Sequence, residues 1–215
     1  MTGSNDRIAG LLAMAPVIPV LIVEDARHAV PLARALVAGG LPAIEVTLRT
    51  AAALDAVAAM VAEVAGAEIG VGTVLTGAQL DAAAKAGARF AVSPGSSPGL
   101  LDAAAGHALP LLPGASTASE AMALLERGYA RQKFFPAEPA GGRAFLAALA
   151  SPLPAIRFCP TGGIGAANAA DWLALPNVAC VGGSWVAPKD LVAAGNWAAI
   201  EALARAAAAL RRGAA

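Results

Sequence analysis

Eight short β-rich runs alternate with Ala/Leu-rich helical runs. They predict an α/β fold: a single-domain (β/α)8 barrel of the TIM type with an additional N-terminal helix. Strand–helix alternation implies parallel pairing through right-handed crossovers. A repeat of about 20–25 residues fits compact βα units and leaves no linker or second domain. Eight strands with eight helices favour a closed barrel over an open doubly wound sheet. One domain is therefore expected over 1–215, small for this fold, with the extra helix at about 5–15 and the barrel from about 17 onward.

The extra helix is DRIAGLLAMA, and VIPVLIV (17–23) is the first strand. AVPLARALVAG follows, with apolar residues at three- and four-residue spacing, His28 near its start and Gly39 and Gly40 at its end. AIEVTL (43–48) is the second strand. Thr50 is expected to cap the next helix, AAALDAVAAMVAEV, which stops at Gly66. The third strand is EIGVGTV (68–74), followed by a helix capped by Thr76; the fourth is RFAVSP (89–94). His107 falls in a loop before the fifth, LPLLPG (109–114). Thr117, with Glu120 three residues on, forms a capping-box pattern. RQKFFP (131–136), AIRFCPTG (155–162) and VACVGGS (178–184) complete the strands, and NWAAIEALARAAAALRR closes the chain.

Composition excludes several classes of function. Apolar residues make up 58% of the chain, above the ~45–50% of ordinary domains, and charged residues only 14%. This suits a large interior and a subunit contact, and does not suit disorder. Fifteen basic and fifteen acidic side chains cancel, and no basic stripe interleaves with aromatics, which argues against nucleic acid as a partner. Apolar runs break well short of the ~20 residues a membrane span needs. The N-terminus carries no signal-peptide pattern, so a cytoplasmic protein is expected. Cys159 and Cys180 read as reduced core residues, and neither His28 nor His107 is given a catalytic role. No metal and no other cofactor is expected.

Polar residues interrupt the strands. Every second residue of a barrel strand points inward, so Glu45, Thr47 and Arg49 share one face, and Arg131, Lys133 and Phe135 another. In the third strand Ile69, Val71 and Thr73 are expected to share the inward face. Glu, Arg, Thr and Lys are thus aimed at one axis, and catalytic groups of this fold come from the ends of several strands. Taken singly, each such residue is more often a structural ion pair or strand-end group than a catalyst. Buried ion pairs, however, are a weak source of stability, and a fold needing only stability could place Leu or Val there.

The set has a chemistry. Only three lysines stand against twelve arginines, and Lys133 lies in an apolar run. Among apolar neighbours a lysine loses the hydration that favours its ammonium form, and the neutral amine can attack a ketone to form a Schiff base. A carboxylate such as Glu45 can move the protons of carbinolamine dehydration and of carbon–carbon cleavage. Arg49 suits a substrate carboxylate through a bidentate fork, with Thr73 donating another hydrogen bond. Together they describe a metal-free aldolase acting on a 2-keto acid. Thr161-Gly162-Gly163 and Gly182-Gly183-Ser184 end consecutive strands, where backbone N–H groups can approach an anion. Phosphate sites of this fold lie in the loops after strands seven and eight. A phosphorylated substrate is expected, its carboxylate near Arg49 and its phosphate near Gly162, Gly163 and Ser184.

The segments VIPVLIVEDARHAVPLARALVAGGLPAIEVTLRT, GVGTVL, SPG, LPG, KFFPAE, RFCPTGGI and VGGSW together resemble the bacterial 2-keto-3-deoxy-6-phosphogluconate (KDPG) aldolases, in order, from about Val17 to Pro188. The resemblance implies a (β/α)8 homotrimer that cleaves KDPG to pyruvate and glyceraldehyde 3-phosphate, many members also cleaving 4-hydroxy-2-oxoglutarate (KHG). It assigns the Schiff-base amine to Lys133 and the general acid/base to Glu45. Arg49 and Thr73 fall to the pyruvate carboxylate. The glycines of PTGGI, with Thr161 before them, and Gly183 and Ser184 of GGSW fall to the phosphate side. Pro94 and Phe135 look like shaping residues near the pyruvyl group, with turn and packing roles equally able to explain them. One departure is visible: some relatives carry an arginine at the end of the first strand, which here reads Leu21-Ile22-Val23-Glu24. The competing expectations are a preference for the galactonate epimer or for KHG, and a non-catalytic phosphosugar-binding barrel with a structural lysine. Few histidines and no clustered carboxylates disfavour a metal-dependent pyruvate aldolase.

Overall fold

The computed structural model describes residues 2–210. Arg211 and Arg212 of the expected last helix lie outside the described residues. The chain begins with α1 (Thr2–Ala13), β1 (Val17–Leu21), a 3-10 turn (Ala26–His28) and α2 (Ala29–Ala38). Next come β2 (Ala43–Thr47), α3 (Ala53–Glu63), β3 (Glu68–Gly72), α4 (Gly77–Lys85), β4 (Ala91–Val92) and α5 (Pro98–Ala104). They are followed by β5 (Leu111–Leu112), β6 (Gly114–Ala115), α6 (Ala118–Glu126), β7 (Arg131–Phe134) and α7 (Gly142–Ala148). Last are β8 (Arg157–Pro160), α8 (Ala169–Leu173), β9 (Val181–Gly183), α9 (Lys189–Ala193) and α10 (Trp197–Ala208). Among the described residues no helix is long and apolar enough to cross a membrane.

All strand pairings are parallel, as βα alternation requires. The strands form a curled sheet of six, in the order β5-β4-β3-β2-β1-β9, and a sheet of three, β6-β7-β8. The run expected as one fifth strand is divided by Pro113 into β5 and β6, because proline brings no N–H to a ladder. Single bridges, Phe158 to Val178 and Thr161 to Gly182, connect β8 with the β9 segment.

Alternation along the strands builds two cores. Val17, Leu21, Ile44, Val46, Ile69, Val71, Phe134, Phe158 and Val181 face the helices in the larger one. Each such fully buried side chain stabilises the fold by about 1.5–3 kcal/mol. Ile18, Ala43, Phe90, Val92, Leu112, Cys159 and Cys180 form the smaller core on the concave face, covered by Ile8, Leu11 and Leu12 of α1. The two cysteines, distant in sequence, approach to 3.6 Å between sulfurs with no disulfide joining them.

Helix starts follow the expected chemistry in two places. Thr76 accepts from the Gln79 N–H at 3.3 Å. Thr117 and Glu120 make a complete capping box, a motif whose cap residue contributes about 1 kcal/mol. Backbone N–H donation from Ser116, ahead of the side-chain donors, holds the Glu120 carboxyl below the usual carboxylate range. Thr50 does not cap: its hydroxyl donates to the Val23 carbonyl at 2.6 Å instead, and α3 begins later, at Ala53, without a side-chain cap.

Candidate active site

Glu45 on β2 and Lys133 on β7 lie 88 positions apart in sequence, yet Lys133 Nζ stands 3.2 Å from Glu45 Oε1. Their side chains are only 5% and 7% exposed. The Lys133 ammonium also sits over the Phe135 ring, 5.3 Å from its centroid, a cation–π contact. Room for the carboxylate comes from the neighbouring strand. A Cβ at Gly72 would fall on Glu45, 2.7 Å from its Cδ, and one at Gly70 would strike the Phe90 ring.

This overturns the expected facing of β3. Gly70 and Gly72 occupy its concave side, while Ile69 and Val71 pack among the helices. Thr73 leaves the alternation altogether, just past the strand end, with φ of 61°. A β-branched residue rarely adopts that left-handed conformation, and such strain concentrates at functional sites.

Above the ion pair opens a cleft of about 750 Å³. Of the expected site residues, Arg49, Phe135, Thr161, Gly162, Gly163, Gly183 and Ser184 line it together. Lys133 and Glu45 are buried and do not appear in its lining, nor do Thr73 and Pro94. Pro94 packs its backbone against Gly114, where a Cβ would lie 2.7 Å from the Ser93 carbonyl oxygen. Thr161 Oγ1 is buried without a hydrogen-bond partner, close against Gly182.

The loop after β8 is fastened to the loop after β7. Ala137 N–H donates to the Thr161 carbonyl at 2.8 Å, and Glu138 N–H to that of Gly162 at 3.0 Å. Asn168 Nδ2 donates to the Gly163 carbonyl at 3.0 Å and to Glu138 Oε1 at 3.3 Å, which also accepts from Trp172 Nε1 at 3.1 Å. The carbonyls are thereby committed to protein, whereas no backbone acceptor among the described residues takes the N–H of Gly162 or Gly163. Positive φ at both, 106° and 79°, is the conformation glycine permits.

The charged lining is uneven. Arg49 forms no ion pair among the described residues and is free to meet an anion. Asp25 accepts from Arg27, chiefly through the guanidinium, which holds its carboxyl down at about 2. Among the described residues no three His, Cys, Asp or Glu side chains gather as metal ligands would.

Sequence reasoning missed the space that Gly70, Gly72 and Gly182 leave, and the place of Trp185 and Lys189 in the cleft wall. One signal was present: Lys189 is among the chain's three lysines and lies four residues after Trp185 of GGSW. An amine and a carboxylate in contact, out of water, beneath a cleft with an unpaired guanidinium at one side and free backbone N–H groups at the other, can bind an anionic carbonyl compound and exchange protons with it.

A family model described as KDPG and KHG aldolase matches residues 8–203. The 2-dehydro-3-deoxy-phosphogluconate aldolase of Pseudoalteromonas atlantica is 51% identical, over 91% of each chain. The KHG/KDPG aldolase of Escherichia coli is also 51% identical, over 91% of this chain and 92% of that protein. Among solved structures, a KDPG aldolase from Legionella pneumophila, with pyruvate captured at low pH as a covalent carbinolamine, superimposes with a TM-score of 0.91 at 44% identity, covering 94% of this chain and 98% of that one.

Proposed function

The chain belongs to the KDPG and KHG aldolase family, and from that premise we infer which of its residues carry the reaction. The protein is a Schiff-base aldolase that cleaves 2-dehydro-3-deoxy-6-phosphogluconate. Lys133 is the amine. Its proton passes to the Glu45 carboxylate 3.2 Å away, and the neutral nitrogen adds to the C2 ketone to give a carbinolamine. Glu45 returns the proton to the departing hydroxyl, so water leaves and an iminium forms. Glu45, again a carboxylate, removes the C4 hydroxyl proton; the C3–C4 bond breaks, its electrons flow into the iminium, and glyceraldehyde 3-phosphate departs. Protonation of the resulting enamine at C3 and hydrolysis of the imine release pyruvate and restore the lysine.

Arg49 and Thr73 hold the substrate carboxylate, and Phe135 and Pro94 bound the pyruvyl group. Thr161, Gly162, Gly163, Gly183 and Ser184 receive the distal end and its phosphate. The buried Lys133–Glu45 contact carries this reading, because it supplies nucleophile and proton shuttle as one unit. Incubation with pyruvate and borohydride, then peptide mapping by mass spectrometry, tests it. A single adduct on Lys133 is expected, and an adduct on another lysine removes the assignment. Activity on 4-hydroxy-2-oxoglutarate is proposed as well, as the name of the Escherichia coli relative suggests.

The strands are read as one closed (β/α)8 barrel in a single domain with α1 appended. The single bridges between the segments of β8 and β9, and the continuity of β5 with β6 across Pro113, support this. A homotrimer in the cytoplasm is proposed from the family resemblance.

A further inference from the structure

Resting on the assignment of the glycine loops to the substrate's phosphate, we propose that Lys189 is the side-chain cation that recognises this phosphate, and that Glu24 competes for it. The first strand ends without a cation and delivers Glu24 and Asp25 to the cleft wall instead. Two carboxylates facing a phosphate dianion would oppose its binding unless each is answered. Asp25 is answered locally, because Arg27 donates to both of its oxygens. Glu24 is answered from the segment after the neighbouring strand: its ion partner among the described residues is Lys189, with Nζ 3.8 Å from Oε1.

The topology explains how the two meet. β1 pairs with β2 on one side and with β9 on the other. Arg49, after β2, and Lys189, after β9, therefore reach the same cleft from opposite flanks of β1. Lys189 belongs to the segment that also carries Ser184, so its charge is on the side given to the phosphate.

Strength decides which anion holds the lysine. Both partners are open to solvent, 78% and 70% exposed, and such a pair is weak and screened. A phosphate dianion carries more charge than one carboxylate and offers three acceptor oxygens, while the ammonium is a mobile point charge with three donors. The substrate's phosphate thus displaces Glu24. A ligand without a distal dianion leaves the Lys189–Glu24 pair closed.

The test is steady-state kinetics of the full chain with KDPG and with unphosphorylated 2-keto-3-deoxygluconate. Wild type, Lys189→Met, Glu24→Gln and the double variant are compared at low and high salt. Lys189→Met is expected to raise KM for KDPG about tenfold at low salt with kcat nearly kept, and to flatten the salt dependence of KM. Glu24→Gln should move the same KM the other way, down about two- to threefold, and the double variant should resemble Lys189→Met. An unchanged KM in Lys189→Met, an equal rise for both substrates, or a raised KM in Glu24→Gln would overturn the proposal. Pyruvate trapping on each variant separates the two levels. An adduct that still forms on Lys133 beside an unmoved KM sinks only the role of Lys189, whereas no adduct in the wild type sinks the reading beneath it.

Discussion

At one side of the cleft the polar groups are a buried pair of side chains, and at the other they are main-chain N–H groups joined by exposed side chains. The Lys133–Glu45 pair is buried, in contact, and fixed by two strands that belong to different sheets. The opposite wall offers N–H groups of Gly162 and Gly163, on a loop held by Glu138 and Asn168, and the Ser184 hydroxyl and exposed Lys189 of the segment after β9. The difference follows from what the proposed function asks of each side. Bond making and breaking need particular functional groups at particular atoms, whereas holding a phosphate needs only several donors around a charge. Substitutions should therefore act sharply on the first side and gradually on the second.

The largest effect should come from Lys133→Met, which removes the amine assigned to the adduct; borohydride trapping with pyruvate should yield no labelled protein. Gly72→Ala puts a methyl where the Glu45 carboxylate lies and leaves the lysine in place. It should lower kcat by roughly 10²-fold with a smaller change in KM, since displacement of about 1 Å at a reacting group has that scale. Wild-type turnover in this variant would show that the carboxylate need not sit there. Arg49→Leu should raise KM about tenfold for phosphorylated and unphosphorylated keto acids alike, because the carboxylate it meets is common to both. Ser184→Ala stands last, at about three- to fivefold in KM for KDPG alone. If it slowed 4-hydroxy-2-oxoglutarate equally, the division between the two sides would dissolve.

Legibility in the sequence divides along similar lines. Glu45 and Lys133 could be placed because charge within an apolar, alternating strand can be read one strand at a time. β3 was misread for the complementary reason. Its concave positions are Gly70 and Gly72, which show no side chain, so Ile69 and Val71 took on the look of the inward set although they pack against helices. Thr50 read as a helix cap from its local neighbours, but the Val23 carbonyl, across the strand boundary, claims its hydroxyl. The Lys189–Glu24 pair spans nearly the whole chain, and nothing in either segment alone points to the other. Local pattern carried the elements and the inward facing of Glu45 and Lys133; what it could not carry were spaces and long-range partners.

Helix α1 is synthesised before the surface it covers, which draws on residues from Ile18 to Cys180. Its seat is complete only after Cys180 has been synthesised. Until then Ile8, Leu11 and Leu12 travel with the nascent chain as an uncovered sticky stripe, the kind of exposure that chaperones attend and that favours aggregation.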